Sequence, residues 1–201
     1  MTGKTWLYSG LMVLVLGLMG FGIWFVLNPE DKIEIPEGDP LVLMDINNPE
    51  AGTLSQLSIY EDGAVLYVED SGLEMPVQQG DKYTRTWRTG KVSSEDIDYF
   101  FDYLDSISFN EIKQTYLSPD IEKRFETNPA HPSLGIGESE DYIRIYADND
   151  VVNNTIYAIG FFKPGSEPYS ELPYPVNFIY AELADIIENN TEEALVEELT
   201  K

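Results

Sequence analysis

Residues 11–27 read Leu-Met-Val-Leu-Val-Leu-Gly-Leu-Met-Gly-Phe-Gly-Ile-Trp-Phe-Val-Leu, a run of 17 without a charged, amide or hydroxyl side chain. Extended back to Trp6, the segment has 22 residues. As an α-helix it would span about 33 Å, the thickness of a bilayer's hydrocarbon core. Trp6 and Tyr8 at one end and Trp24 at the other fall where interfacial aromatics are favoured. A cleaved signal peptide would end in small residues, but this run ends Trp-Phe-Val-Leu-Asn-Pro-Glu, and there is no cysteine to accept a lipid. The sequence therefore predicts an uncleaved transmembrane signal anchor over residues 1–27, with the lipid bilayer as its first partner.

Lys4 and the α-amine precede the anchor, while Lys32 follows it among Glu30, Asp31, Glu34, Glu37 and Asp39. Positive charge thus favours a cytoplasmic amino terminus and an outward-facing carboxy-terminal domain at the cell membrane. Gly10, Val13, Gly17 and Gly20 recur at three- and four-residue steps and fall near one helix face. Small residues there let another membrane helix approach closely, so this face is expected to dock against other membrane protein subunits.

The charge is distributed as unevenly as the hydropathy. The chain has 36 Asp and Glu against 12 Lys and Arg, a net charge of -24. Outside the anchor the remaining 174 residues hold all 36 acids and 11 of the bases, net -25. Such a surface repels a phosphate backbone, so no nucleic-acid partner is expected. With no cysteine and only one histidine, zinc knuckles, iron-sulfur clusters, disulfides and thiol catalysis are excluded.

Residues 28–40 combine three prolines with alternating acids and read as an extended linker. The domain is expected over residues 41–201. Strands are predicted at 41–46, 56–60 and 64–68, the last two joined by an Asp62-Gly63 turn, and at 82–88, where Lys-Tyr-Thr-Arg-Thr-Trp-Arg alternates strictly. Ser93 or Ser94 caps a helix whose Ile97, Phe100, Phe101, Leu104 and Ile107 face a core, with Asp98, Asp102 and Asp105 on the other side. A short helix at 118–126 starts with a capping serine and a proline. It lies within a long irregular stretch, 113–141. Strands at 141–147 and 155–162 make a second hairpin, and Val176, Ile179, Tyr180, Leu183, Ile186 and Ile187 mark another helix. Residues 190–199, Asn-Thr-Glu-Glu-Ala-Leu-Val-Glu-Glu-Leu, predict a third short helix capped by Asn190 and Glu193. The expected class is α+β: an antiparallel sheet with two to three helices packed on one face.

No catalytic constellation is recognisable. The lone His131 sits between prolines in Asn-Pro-Ala-His-Pro, and no Gly-x-Ser-x-Gly elbow presents a serine. Gly135-Ile-Gly137 lacks the third glycine of a dinucleotide site, and no phosphate-binding loop occurs. Thirty-six acids make some close carboxylate pair inevitable, so a glycosidase-like pair carries little information. No cofactor is expected. Calcium is the one metal the composition supports, with oxygen-rich turns at Asp148, Asp150 and Asn153, and at Asp45, Asn47 and Asn48. Asp and Asn are equally the ordinary residues of turns.

Two features suggest a partner surface. Lys82, Arg85, Arg88 and Lys91 form the main basic cluster, able to neutralise nearby acids or to receive an anionic partner. The loop at 163–175 presents Tyr169 and Tyr174 between prolines. Asn153-Asn-Thr and Asn189-Asn-Thr fit the glycosylation pattern. The expected function is a non-catalytic accessory, structural or interaction subunit of a membrane or cell-surface assembly. The alternatives are an anchored solute- or calcium-binding module and a carboxylate-dependent hydrolase.

Overall fold

The computed structural model describes residues 33–74, 80–127, 141–162 and 172–200. It divides the chain into two units, Met1–Glu34 and Ile35–Lys201, and the fold is that of the second. The expected anchor at 1–27 and its docking face, Gly10, Val13, Gly17 and Gly20, lie outside the described residues. No helix among the described residues is long and apolar enough to cross a membrane.

One mixed sheet of eight strands organises the α+β domain: β1 (Val42–Asn48), β2 (Thr53–Ile59), β3 (Ala64–Ser71), β4 (Lys82–Lys91), β5 (Thr115–Leu117), β6 (Tyr142–Asp148), β7 (Asn153–Ile159) and β8 (Thr191–Thr200). Their spatial order is β5-β7-β6-β1-β2-β3-β4-β8. Successive residues of a strand face opposite sides of the sheet, and the register aligns the core-facing apolar residues of neighbouring strands. Met44 lies opposite Leu57 on one side and Ile145 on the other, and Ile145 in turn lies opposite Ile156. All four are essentially inaccessible to solvent. The Asp62-Gly63 turn forms as expected: Gly63 takes φ +82° and the Asp62 side chain accepts from the Ala64 N–H at 2.9 Å.

Two long helices supply the other half of the core. Helix α1 (Ser94–Ser106) is capped by Ser93, whose Oγ accepts from the Asp96 N–H at 3.1 Å. It buries Phe100, Phe101 and Leu104, the predicted stripe. Helix α3 (Val176–Asn190) buries Val176, Ile179 and Leu183 into the same cluster as Val42, Met44 and Leu57. Burying each such side chain contributes about 1.5–3 kcal/mol. The shorter α2 (Pro119–Thr127) follows Ser118, whose Oγ accepts from the Ile121 N–H at 3.4 Å.

Two expectations are corrected. The C-terminal segment is the strand β8 and not a helix. Its Ala, Leu and Glu favour a helix locally, but pairing with β4 satisfies the backbone and sets Leu195 opposite Trp87, Glu197 opposite Arg85 and Leu199 opposite Tyr83. Ala194 is the extra residue where the register shifts beside Trp87 and Arg88, a bulge that lets β8 follow the ladder. Thr191 ends α3 instead of helping to start a new helix, its hydroxyl donating to the Ile187 carbonyl at 2.6 Å. The sheet is also not wholly antiparallel, because β5 pairs with β7 in parallel. That three-residue strand emerges from the stretch expected to be irregular, and it is preceded by a 3₁₀ turn, Phe109–Glu111.

Candidate functional site

The basic cluster of β4 is divided by the pleat. Arg85 shares a face with Tyr83 and Trp87, whereas Lys82 and Arg88 belong to the opposite face, so the sequence neighbours do not converge. Arg85 makes a two-point ion pair with Asp70 across the β3–β4 ladder, Nε to Oδ1 at 2.6 Å and Nη2 to Oδ2 at 2.8 Å. That bond to Asp70 raises the arginine's pKa. Its guanidinium also lies over the Tyr83 and Trp87 rings, at 5.8 and 5.6 Å from their centroids. Arg88 donates to the Thr191 carbonyl at 3.0 Å. Both arginines are thus engaged within the sheet, which favours the neutralising role over capture of an anion.

The sheet face away from the helices carries a shallow groove of about 550 Å³, floored by Leu54, Ser58, Leu66 and Val68. Asp45 and Asp70 both line it. A carboxylate hydrolase would need two such acids, but each is committed to a guanidinium. Asp70 binds Arg85, while Asp45 binds Arg144 and accepts from Gln56 Nε2 at 2.7 Å. At one end of this face the Trp87 indole donates to Glu197 at 3.1 Å.

The helix layer presents a different surface. A second groove, about 490 Å³, runs between α1 and α3 and is lined by Asp96, Tyr99 and Tyr103 from one and Phe178, Glu182 and Asp185 from the other. The two helices run in opposite directions. Gly90, just before α1, abuts the Asn190 carbonyl that ends α3, and Tyr103 near the far end of α1 lines the same groove as Phe178 near the start of α3. Burial is the largest cause of the raised pKa of Tyr103. Tyr99 is 72% exposed, Tyr174 66% and Phe178 53%. Tyr174 and Phe178 stack edge to face with centroids 5.7 Å apart.

Neither helix carries a base. Helix α1 has five acids, Glu95, Asp96, Asp98, Asp102 and Asp105, and α3 has three, Glu182, Asp185 and Glu188. Of the predicted partner residues, only Tyr174 belongs to this surface, while Tyr169 lies outside the described residues. Tyr99 and Phe178 were legible only as aromatics on the acidic side of helices otherwise read for their core stripes.

The other sequence candidates resolve differently. The turn between β6 and β7 is closed by Asn149, whose Oδ1 accepts from the N–H of Val151 at 2.9 Å and of Val152 at 2.7 Å. Both oxygens of Asp148 accept bonds, from the Tyr146 hydroxyl at 2.7 Å and from Asn153 Nδ2 at 2.8 Å, and Asp150 is exposed. In the other oxygen-rich turn Asn48 Oδ1 accepts from the Ala51 N–H at 3.2 Å. Among the described residues no group of three or more His, Asp or Glu is arranged to hold a metal. His131 and Gly135-Ile-Gly137 lie outside the described residues. No family model, curated protein or solved structure matches the chain.

Proposed function

We propose that this chain is a single-pass membrane protein whose outward-facing α+β domain serves as a non-catalytic accessory subunit, engaging other membrane or cell-surface proteins. The observation that carries the reading is the α1–α3 groove. It leaves Tyr99 and Phe178 more than half exposed on two helices that hold eight acids and no base between them. Large aromatics are among the residues most enriched at protein interfaces, and both rings stand outside the buried core. The 17-residue apolar run supports the anchor, and Lys4 ahead of it supports the orientation. Within the anchor, the face of Gly10, Val13, Gly17 and Gly20 offers a second contact in the same assembly.

The test is extraction of the tagged full chain from its native membranes in a mild detergent. Stoichiometric membrane proteins are expected to accompany it. A chain that emerges alone under every mild condition refutes the accessory role.

A further inference from the structure

The partner's chemistry follows from the shape and charge of that same groove, and the inference rests on the interaction reading above. Its lining residues repeat at helical spacing on both walls. On α1 they are Asp96, Tyr99, Phe100 and Tyr103, and on α3 they are Phe178, Glu182, Asp185 and Ile186. From Phe178 to Asn190, the lining of α3 extends for about 18 Å at 1.5 Å per residue, matching about 12 residues of a third helix laid alongside. The floor is apolar and aromatic, and the walls end in carboxylates.

Charge then selects the occupant. A cation laid along α3 meets Glu182 and Asp185 on the groove wall, on a helix that holds no Lys or Arg. A second copy of this chain would bring the same two helices with eight acids and no base between them, and like charges across an interface repel. We infer that the α1–α3 groove receives a cationic amphipathic helix, its apolar stripe against Tyr99, Tyr103 and Phe178 and its Lys or Arg side chains against Asp96, Glu182 and Asp185.

The test uses the full chain in a nonionic detergent and a dye-labelled peptide of leucine and lysine, about 18 residues long so that it can hold a helix. Its leucines follow helical spacing, and a scrambled peptide of the same composition is the control. The patterned peptide should bind at least about tenfold more tightly than the scrambled one, and added salt should weaken it. Asp185→Lys should weaken binding by about tenfold or more, whereas Glu50→Lys, with the same change in net charge on the exposed β1–β2 turn, should change it far less. Tyr99→Ser with Phe178→Ser should also weaken it, with the melting temperature lowered by no more than a few degrees.

Equal binding of patterned and scrambled peptides, or equal effects of Asp185→Lys and Glu50→Lys, overturns the proposal in favour of unspecific charge attraction. Concentration-dependent self-association that Asp185→Lys abolishes would name a second copy as occupant and overturn it too. If the peptide fails while native partners are still lost from Tyr99→Ser, the cationic helix is refuted and the accessory reading stands. If the peptide binds through the groove but no partner accompanies the extracted chain, the groove chemistry is supported and the accessory reading falls.

Discussion

The indole N–H of Trp87 donates to a carboxylate oxygen of Glu197 at 3.1 Å, joining side chains 110 positions apart in the chain. It is a diagonal contact, since Trp87 itself lies opposite Leu195 and Glu197 lies opposite Arg85. The carboxylate thereby closes a chain of polar contacts running from Asp70 through Arg85 and the Trp87 ring to β8. This places ten C-terminal residues at the edge of the sheet, where half of their backbone groups face β4 and half face solvent.

That geometry fixes the hydrogen-exchange pattern of β8. Amides bonded to β4 should exchange slowly and those on the free edge rapidly, giving protection that alternates residue by residue from Thr191 to Thr200 and breaks at Ala194. A helix would protect consecutive amides. Contiguous protection measured by NMR would refute the strand.

Gly90 is held by the start of the same strand. A Cβ at this position would overlap the Asn190 carbonyl, which is backbone and cannot swing aside. Gly90→Val is therefore expected to lower the unfolding free energy by about 1–3 kcal/mol, read as a lower urea midpoint at unchanged slope. An unchanged midpoint would mean that α3 and β8 do not meet β4 as described.

The main elements were legible because local runs, turns and helical spacing marked them. Leu41-Val-Leu-Met is a short apolar run, and Ile97, Phe100, Phe101 and Leu104 recur at helical steps, so β1 and α1 followed from local pattern. The segment after Asn190 was misread because Glu-Glu-Ala-Leu-Val-Glu-Glu-Leu fits a helix locally. Its alternation, Leu195, Glu197 and Leu199 on one face, gains meaning only beside Tyr83, Arg85 and Trp87, over a hundred residues earlier. Strand β5 escaped because three residues carry no period. For the site, the sequence pointed to the basic residues of β4, which the pleat then separated. The groove depends on how two helices align side by side, and no single helix reports that.

Partly buried tyrosines are expected to contribute to the loss of stability at alkaline pH. Burial pushes Tyr67 well above its ordinary pKa of 10.0, and Tyr103, Tyr116 and Tyr142 are raised for the same reason. The folded state then keeps protons that the unfolded chain releases. This contribution is fully present below pH 10 and is lost as pH rises from there through the folded-state values. The melting temperature should fall above pH 10, and Tyr67→Phe should make that fall shallower, though it removes the 2.9 Å bond to Glu69 and costs about 0.5–1.5 kcal/mol at neutral pH. An identical alkaline slope in Tyr67→Phe would contradict this assignment.

In the proposed anchor, Gly17→Leu should reduce recovery of co-extracted membrane proteins without changing the melting temperature of the domain, because bulk at Gly17 holds a neighbouring helix away. Undiminished recovery would remove the Gly10, Val13, Gly17 and Gly20 face from the assembly.

The central claim is that the domain works by engaging a partner through the α1–α3 groove. Quantitative comparison of the proteins co-extracted with the native chain and with the Tyr99→Ser, Phe178→Ser double variant tests it most directly. Both side chains are more than half exposed, so stability should change by no more than about 0.5 kcal/mol per substitution. The native chain is predicted to carry stoichiometric partners that the folded double variant loses. Partners retained in full by the double variant would contradict the account.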